Sequence, residues 1–360
     1  MTKNIYQPPK PKAVILVGGP GMRLRPLTED RPKSVVPVLN HPAIEHTFAY
    51  LKQYGVEEII LALNYLPDVI KGYFGDGSRC GIRLTYCVEK EPLGTAGAVK
   101  NAEKHLESTF FVLNGDLFTD LNLADMLAFH REKKARATIS LTWVDDPSRF
   151  GVVETDNNRR VKRFIEKPPL AEATTNWINA GTYILEPEVL GHIPAGQHYM
   201  FERGLFPSLL EAGEPVYGYP YRGFWLDMGT PGTYFSLNSD LLTMKVKSPI
   251  FSPFPPGKDG IRRGENVTIH PAATVIPPVM IDSGCHIGKG VRVTGPVVMG
   301  RDCRLDDGAV VENAILWDNV TVRAKARLSH CIVCSRAVID GNGEISDSII
   351  TSSKVVPLPL

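Results

Sequence analysis

Three glycines, at 18, 19 and 21, follow directly on the apolar run AVILV (13–17), and Arg23, Arg25 and Lys33 come soon after. With no Cβ in the way, glycine backbone amides can approach an anion closely, and successive turn amides make a concave anion site. The cationic side chains would add charge to the same pocket. The stretch LVGGPGMRLRPLTEDRPK (16–33) therefore reads as a polyphosphate cradle at the carboxyl end of a buried strand, where open α/β sheets bind ligands. It is not a P-loop, because no Gly-Lys-Ser/Thr closes it, and it lacks the third glycine of a dinucleotide fingerprint. A glycine-rich turn flanked by solvated arginines is the plain alternative, so the surrounding elements decide between them.

Those elements are legible in the periodicity. AVILV, EIILAL (58–63), LTYCV (84–88), FFVLN (110–114) and ATISLTWV (137–144) are short apolar runs that predict strands. Between them AIEHTFAYLKQY, TAGAVKNAEKHL and LADMLAFHREKK carry apolar residues at helical spacing. Alternation of this kind predicts an α/β, Rossmann-like domain with a mainly parallel sheet over 13–247, after an N-terminal tail of 1–12. SPIFSPFPPGKDG, within 248–260, reads as a Pro/Gly linker. Beyond it, over 261–360, the period becomes six. Ile269, Val275, Ile281, Ile287, Val293, Met299, Leu305 and Val311 mark one phase. Ala273, Val279, Cys285, Val291, Val297, Cys303, Ala309 and Ile315 mark another, four places on. Such hexapeptide repeats build a parallel β-helix with one side chain per short strand pointing inward. The phase slips by one near Trp317, and Ala326, Ile332 and Val338 resume it.

Composition narrows the function further. Forty Lys and Arg against 39 Asp and Glu leave a net charge of +1, and no long basic block stands outside the opening loop, so nucleic acid and anionic membrane are poor partners. No apolar run approaches the roughly 20 residues of a bilayer span, and MTKNIYQPPKPK lacks the hydrophobic segment of a signal peptide, which predicts a cytoplasmic protein. The six cysteines show no disulfide framework, in keeping with that compartment. Cys331 and Cys334 form a lone CxxC without a second ligand pair, so the structural reading is preferred to zinc. Cys285 and Cys303 fall at inward positions of the repeat and are expected in the core.

Seven motifs then occur in a fixed order: GGPGMRLRPLTEDRPK (18–33), EPLGTAGAV (91–99), VLNGD (112–116), FGVVE (150–154), FIEKP (164–168), NAGTYIL (179–185) and FWLDMG (224–229). In this order the sequence resembles the nucleotidyltransferases that make NDP-sugars, over essentially its whole length and with the hexapeptide tail included. Through EPLGTAG it is most similar to the mannose-1-phosphate guanylyltransferases. The fold this implies is an α/β nucleotidyltransferase domain followed by a left-handed parallel β-helix. One departure is clear: Met22 stands where the family's loop has threonine, so a hydroxyl that could donate to a phosphate or to the loop backbone is lost.

The resemblance implies attack by a sugar 1-phosphate on the α-phosphorus of a nucleoside triphosphate, with release of pyrophosphate. Such a transfer needs positioning and charge neutralisation rather than a covalent intermediate. Carried over motif by motif, Gly18, Gly19, Gly21 and Gly94 line the nucleotide, and Arg23 and Lys33 meet its triphosphate. Asp116 and Asp227 are the implied carboxylates for Mg2+, a hard cation that prefers oxygen ligands and lets phosphates complete its shell. Glu166, Lys167 and Asn179, with backbone at Gly151 and Gly181, are implied for the sugar phosphate. Glu89 stands where relatives place a side chain against the base edge. Guanine presents N1–H and N2–H2, adjacent donors that one ionised carboxylate can accept, whereas uracil and thymine flank a single donor with carbonyl oxygens. GTP is therefore favoured, with neighbouring Glu91 the competing carboxylate.

Three other readings stay open on these residues. One is thymidylyl or uridylyl transfer to glucose 1-phosphate. Another is a non-catalytic regulatory subunit that binds sugar nucleotide, which Met22 encourages and the retained Asp116, Asp227, Arg23, Lys33 and Lys167 oppose. The last is acyl transfer on the β-helix, for which His270, His286 and His330 are available. The repeat region is short and suits assembly of a homo-oligomer better.

Overall fold

The computed structural model describes residues 10–246 and 255–359; positions 248–254 of the expected linker and most of the N-terminal tail lie outside the described residues. By contacts the chain forms two compact units. The first ends its opening stretch at Gly19 and resumes over Thr47–Trp225, and the second joins Pro20–His46 to the chain from Leu226 onward.

In the first unit nine strands form one sheet: β1 (Lys12–Val17), β2 (Glu58–Leu63), β3 (Arg83–Val88), β4 (Phe110–Asn114), β5 (Ala137–Trp143), β6 (Gly151–Thr155), β7 (Val161–Glu166), β8 (Trp177–Leu185) and β9 (Val216–Tyr221). β1 lies at the centre, parallel to β2 on one side and to β4 on the other, with Ile15 opposite both Leu61 and Leu113. Its residues are apolar without alternation because both faces of a parallel interior strand are covered. β3 continues the parallel set beyond β2. β8 then joins β4 antiparallel and carries β5 on its other edge, with β9 parallel to β5. The predicted strands fall at these places, and all three predicted helices form: one over Ala43–Gln53, and in the first unit α1 (Gly94–Asn101) and α2 (Leu123–Glu132). α2 starts at Asn122, whose side chain accepts from the Ala124 and Asp125 amides and so satisfies two orphan donors. On one face of the sheet Tyr183, from β8, packs with Phe201 and Phe206, the three ring centroids lying 4.8–5.5 Å apart.

In the second unit short parallel strands stack into a β-helix. Ile261 pairs with Val279, which pairs with Val297, eighteen residues per coil. Val297 then pairs with Ala314, Ala314 with Cys331 and Cys331 with Ser348, so every later coil has seventeen. The register shift falls between Thr294 and Val297 opposite Glu312 and Ala314, earlier than Trp317, and it corrects part of the sequence reading. Ala314 takes the inward place assigned to Ile315, which lines a small cleft with Phe235 and Leu242 instead. Ala326 is inward as expected, but Cys331 and Val333 flank an outward Ile332, and Ile339 replaces Val338, which is 54% exposed. Cys285 and Cys303 are core residues whose thiols donate to the Gly300 and Trp317 carbonyls. Cys331 is in the core and Cys334 is not, so the CxxC spans two environments. Among the described residues no helix is long and apolar enough to cross a membrane.

A buried polar network pins α2 to the sheet of the first unit. His130, on α2, places Nε2 3.0 Å from Glu186 Oε1 and Nδ1 2.8 Å from Thr138 Oγ1, and Thr109 Oγ1 donates to the same Glu186 oxygen at 2.8 Å. A carboxylate only accepts, so Nε2 carries the proton. The bond from His130, opposed by burial and seconded by Thr109, holds the Glu186 carboxyl below the usual carboxylate range. A depressed carboxylate contributes stability above its unfolded pKa of about 4.3, and loses it as pH falls through the native value. Thr109→Val should therefore cost about 1–2 kcal/mol at neutral pH, with the gap from wild type narrowing in acid. Urea unfolding at both pH values checks this, and an equal gap at both would mean that the charge on Glu186 plays no part.

Candidate active site

Within the second unit the sequence-predicted cations and one predicted carboxylate converge. Gly21 is left-handed at φ 63°, and a Cβ there would lie 3.1 Å from Thr28 Cγ2 and 3.2 Å from Lys33 Cβ. Only glycine suits both the dihedral and the space. The turn it makes leads into one 3-10 turn, Met22–Leu24, and a second, Lys33–Val35, begins behind Pro32. These turns put Arg23 Nη2 3.6 Å from Asp227 Oδ2 and Lys33 Nζ 3.6 Å from Asp227 Oδ1. The Arg23 side chain is 72% exposed and that of Lys33 13%, so one cation faces solvent while the other is held inside. Arg23 and Lys33 thus bracket the two oxygens of the Asp227 carboxylate. The hydroxyl missing at Met22, which is 55% exposed, reaches this loop from Thr28 instead: its Oγ1 donates to the Gly21 carbonyl at 2.9 Å. Thr28 had no signal in the sequence beyond lying inside the loop.

In the first unit the nucleotide-side residues gather at the ends of β1 and β3. A Cβ on Gly18 would stand 3.5 Å from Asn64 Cβ and 4.0 Å from Glu89 Oε1, whereas Gly19 faces open space. Glu89 is 8% exposed and its Oε2 accepts the Leu93 amide at 2.9 Å. Burial pushes its carboxyl up, with the Leu93 hydrogen bond opposing. Glu91 is exposed, so the structure separates the two carboxylates that the sequence left in competition. Gly94 opens α1, packed against the Tyr199 carbonyl. Asp116 follows β4 directly, and the preceding Gly115 amide donates to Leu16 O at 3.0 Å, which fixes the ends of β4 and β1 together.

The residues predicted for the sugar phosphate also lie in the first unit. Gly151 and Glu166 are register partners in the β6–β7 pair, and Glu166 Oε1 lies 3.3 Å from Lys167 Nζ. Asn179 Oδ1 accepts the Gly181 amide at 3.0 Å while Asn179 Nδ2 donates to the Tyr183 hydroxyl at 2.8 Å. These bonds span an irregularity in β8 between Asn179 and Tyr183, where the ladder to β5 shifts register. Two further residues support this end. Trp225 Nε1 donates to Ala180 O at 2.9 Å, and its ring meets Phe150 edge-on at 5.5 Å, so it joins the loop before β6 to the bulge of β8. Glu202 accepts from Thr95 Oγ1 at 3.4 Å. Its carboxyl is pushed up by burial first and by Glu166 as well, against Lys167. Neither residue could be found from spacing, since each acts on elements distant in sequence.

Among the described residues no group of three or more His, Cys, Asp or Glu gathers as a metal cage. Carboxylate oxygens offered singly, with phosphate oxygens to complete the shell, are nonetheless a donor set that suits Mg2+, which usually binds through one or two carboxylates. Two of the three β-helix histidines serve local roles: His270 Nδ1 accepts the Ala272 amide at 3.0 Å, and His330 pairs with Asp347 at 2.8 Å against the Phe235 ring.

A Rossmann-like sheet with strand-end carboxylates, followed by a glycine turn with clustered cations and a hexapeptide β-helix, fits a nucleotide-handling transferase class. Comparison makes the assignment specific: the family description "Nucleotidyl transferase" matches residues 12–244, and "EIF2B subunit epsilon LbH domain" matches 258–358. The chain belongs to the nucleotidyl transferase family and is a nucleotidyltransferase. It is 38% identical to a mannose-1-phosphate guanylyltransferase of Mycobacterium tuberculosis over 83% of this chain and 82% of the relative. It is 34% identical to a UTP–glucose-1-phosphate uridylyltransferase of Synechocystis, over 93% and 90%. Among solved structures, HddC from Yersinia pseudotuberculosis complexed with GMP-PN superposes with a TM-score of 0.55 at 31% identity, covering 63% of this chain and 97% of that one.

The bulge at Gly181 offers a direct test of how this site is built. Its φ is +70°, and a Cβ would sit 2.6 Å from both Asn114 Nδ2 and Leu117 Cδ1. Gly181→Ala should cost about 1–3 kcal/mol in backbone strain alone, and raise KM for the sugar phosphate by displacing Asn179. Chemical unfolding and steady-state kinetics measure both effects; wild-type values in both would remove Gly181 from the site.

Proposed function

We propose that the chain transfers GMP from GTP to mannose 1-phosphate, giving GDP-mannose and pyrophosphate. An oxygen of the sugar phosphate attacks the α-phosphorus, the α–β phosphoanhydride bond breaks, and the electron pair leaves with pyrophosphate. The observation that carries the reading is the meeting of Arg23 and Lys33 on Asp227 under the Gly21 turn. Arg23 spans two phosphate oxygens with its fork as charge develops, and Lys33 supplies a point charge from a fixed, mostly buried position. The amides at Gly18, Gly19 and Gly21 cradle the same phosphates, with Gly94 beside the nucleotide. Lys167 meets the sugar phosphate, while Glu166, Asn179 and the backbone at Gly151 and Gly181 fix the sugar hydroxyls. Asp116 and Asp227 each offer a carboxylate to Mg2+, which when bound neutralises charge on the phosphates. The working division is a catalytic domain of 13–247 and a β-helix of 261–360 that assembles a cytoplasmic homo-oligomer.

Glu89 supports guanine. It is the buried carboxylate beside Gly18, and ionised it accepts N1–H and N2–H2 together. Uridylyl transfer to glucose 1-phosphate is the second reading, favoured by the Synechocystis relative, whose similarity spans most of both chains.

Pyrophosphate release across four NTPs and several sugar 1-phosphates, with and without Mg2+, tests the substrates; the highest kcat/KM with a pair other than GTP and mannose 1-phosphate would overturn the choice. Asp116→Asn and Asp227→Asn should each lower kcat on the order of 10²-fold or more with the fold intact, as removal of transition-state charge stabilisation does. Near-normal turnover in both would sink their assignment. Glu89→Gln, which accepts but also donates, should narrow the preference for GTP over UTP and dTTP. Because burial raises the Glu89 pKa, GTP discrimination in the wild type should fade as pH drops, at a higher pH than an exposed glutamate would give. Selectivity ratios that do not change with the substitution or with pH would move the base contact elsewhere.

A further inference from the structure

Lys33 is not held by its own loop alone. Its 3-10 turn runs into a small antiparallel ribbon, Pro37–Val38 against His41–Pro42, whose turn residues Leu39 and Asn40 are both left-handed, at φ 45° and 65°. Three side-chain bonds fix this ribbon from outside it. Tyr234 Oη donates to Pro37 O at 2.6 Å, the Leu39 amide donates to Asn238 Oδ1 at 2.9 Å, and Asn40 Nδ2 donates to Met299 O at 2.8 Å. Tyr234 and Asn238 stand one turn apart on α3 (Pro231–Leu242), and the N-cap of that helix, Thr230, comes three residues after Asp227. A capping box with Thr233 sets where α3 begins.

The β-helix completes the arrangement. Trp317 Nε1 donates to Tyr234 Oη at 2.9 Å, so the tyrosine hydroxyl accepts from the indole and donates its own hydrogen bond to Pro37 O. Tyr234 is fully buried and Trp317 is 3% exposed, and the guanidinium of Arg31, two residues before Lys33, lies 4.7 Å over the indole ring. Burial drives the Tyr234 pKa far above its ordinary value, which keeps the hydroxyl protonated and donating at any working pH. The segments carrying Lys33 and Asp227 are thus both referenced to one coil of the β-helix.

We propose that Trp317 and Tyr234 are positioning residues for nucleotidyl transfer: the chain from the Trp317 indole N–H through the Tyr234 hydroxyl to Pro37 O fixes the Lys33 segment relative to Asp227. This rests on the reading of Lys33 and Asp227 as phosphate- and cation-facing groups. The β-helix then has a share in catalysis as well as in assembly. The dependence is steep because a displacement of about 1 Å at a reacting centre can cost on the order of 10²-fold in rate. Deleting the hydroxyl would leave a buried carbonyl and a buried indole N–H without their partner, and buried polar groups shift to find another.

The test uses the full chain with Tyr234→Phe, Trp317→Phe, the double variant and Asn40→Gly, which keeps a left-handed turn while removing the bond to Met299 O. Ile287→Val, in the β-helix core, serves as a control for stability alone. Pyrophosphate release should show kcat lowered about tenfold in Tyr234→Phe and in Trp317→Phe, with KM for the sugar 1-phosphate unchanged, and the double variant no slower than the slower single, since both cut one chain. Hydrogen exchange over residues 33–42 should be faster in both and in Asn40→Gly, whose kcat should also fall. Ile287→Val should lower Tm and leave kcat alone. Should Tyr234→Phe not fold, Asn40→Gly and Trp317→Phe decide the matter by the same two readouts. Faster exchange with unchanged kcat, or a kcat loss in Ile287→Val equal to the others, overturns the proposal and leaves the transfer reading standing. A wild-type chain that releases no pyrophosphate from any NTP overturns both.

Discussion

Two cations stand 3.6 Å from the oxygens of one carboxylate, Asp227. This is the constraint on which the second unit is built. Arg23 and Lys33 carry like charges that repel at close range, so their placement on Asp227 depends on the chain around them. The left-handed Gly21, the buried Thr28 that bonds to its carbonyl, and Pro32 ahead of Lys33 each remove a freedom the loop would otherwise use to relax. Gly229 leaves room for the cluster, since a Cβ there would lie 3.1 Å from Arg23 Nη2. What the loop gains is pre-organisation: the cost of gathering the charges is met in folding and not at the moment of transfer.

The same economy explains the first unit. Parallel strands all present their carboxyl ends at one edge, so short connections after β1, β3 and β4 bring Gly18, Glu89 and Asp116 to that edge without long loops. The antiparallel β8 breaks its ladder to β5 between Asn179 and Tyr183, and the break supplies side chains where a regular strand would have spent its amides on pairing. Tyr183 is fully buried and accepts from Asn179, so an aromatic core residue orients a polar one.

Much of this was legible because it is local. Apolar runs without alternation marked the strands of the sheet, and the glycines at 18–21 marked the turn that follows β1. Family resemblance carried Asp227, Lys167 and Asn179, whose spacing alone says little. Glu89 and Glu91 could not be told apart in the sequence, since burial depends on the Leu93 amide and on Gly18, far away along the chain. Counting by six failed at Ile315 and Val338 for a definite reason: the coils shorten from eighteen residues to seventeen, and each short coil moves the inward phase by one. Thr28, Trp225, Tyr234 and Trp317 were invisible because the partner of each is set by tertiary packing. The bond between Trp317 and Tyr234 spans 83 residues of sequence.

On the proposed reading, base choice at Glu89 needs little contact, because the environment of the carboxylate is fixed. One oxygen is already committed to the Leu93 amide and the other lies toward Gly18, so the carboxylate cannot swing away from an unsuitable base. A partly desolvated anion that meets a donor edge recovers what burial cost it. The same anion against a carbonyl oxygen recovers nothing and adds repulsion in a low dielectric. Discrimination of this kind comes as much from penalising the wrong base as from binding the right one. On that proposal, the burial which raises the Glu89 pKa would also be the source of its selectivity: a fully solvated glutamate at this place would titrate normally and discriminate poorly.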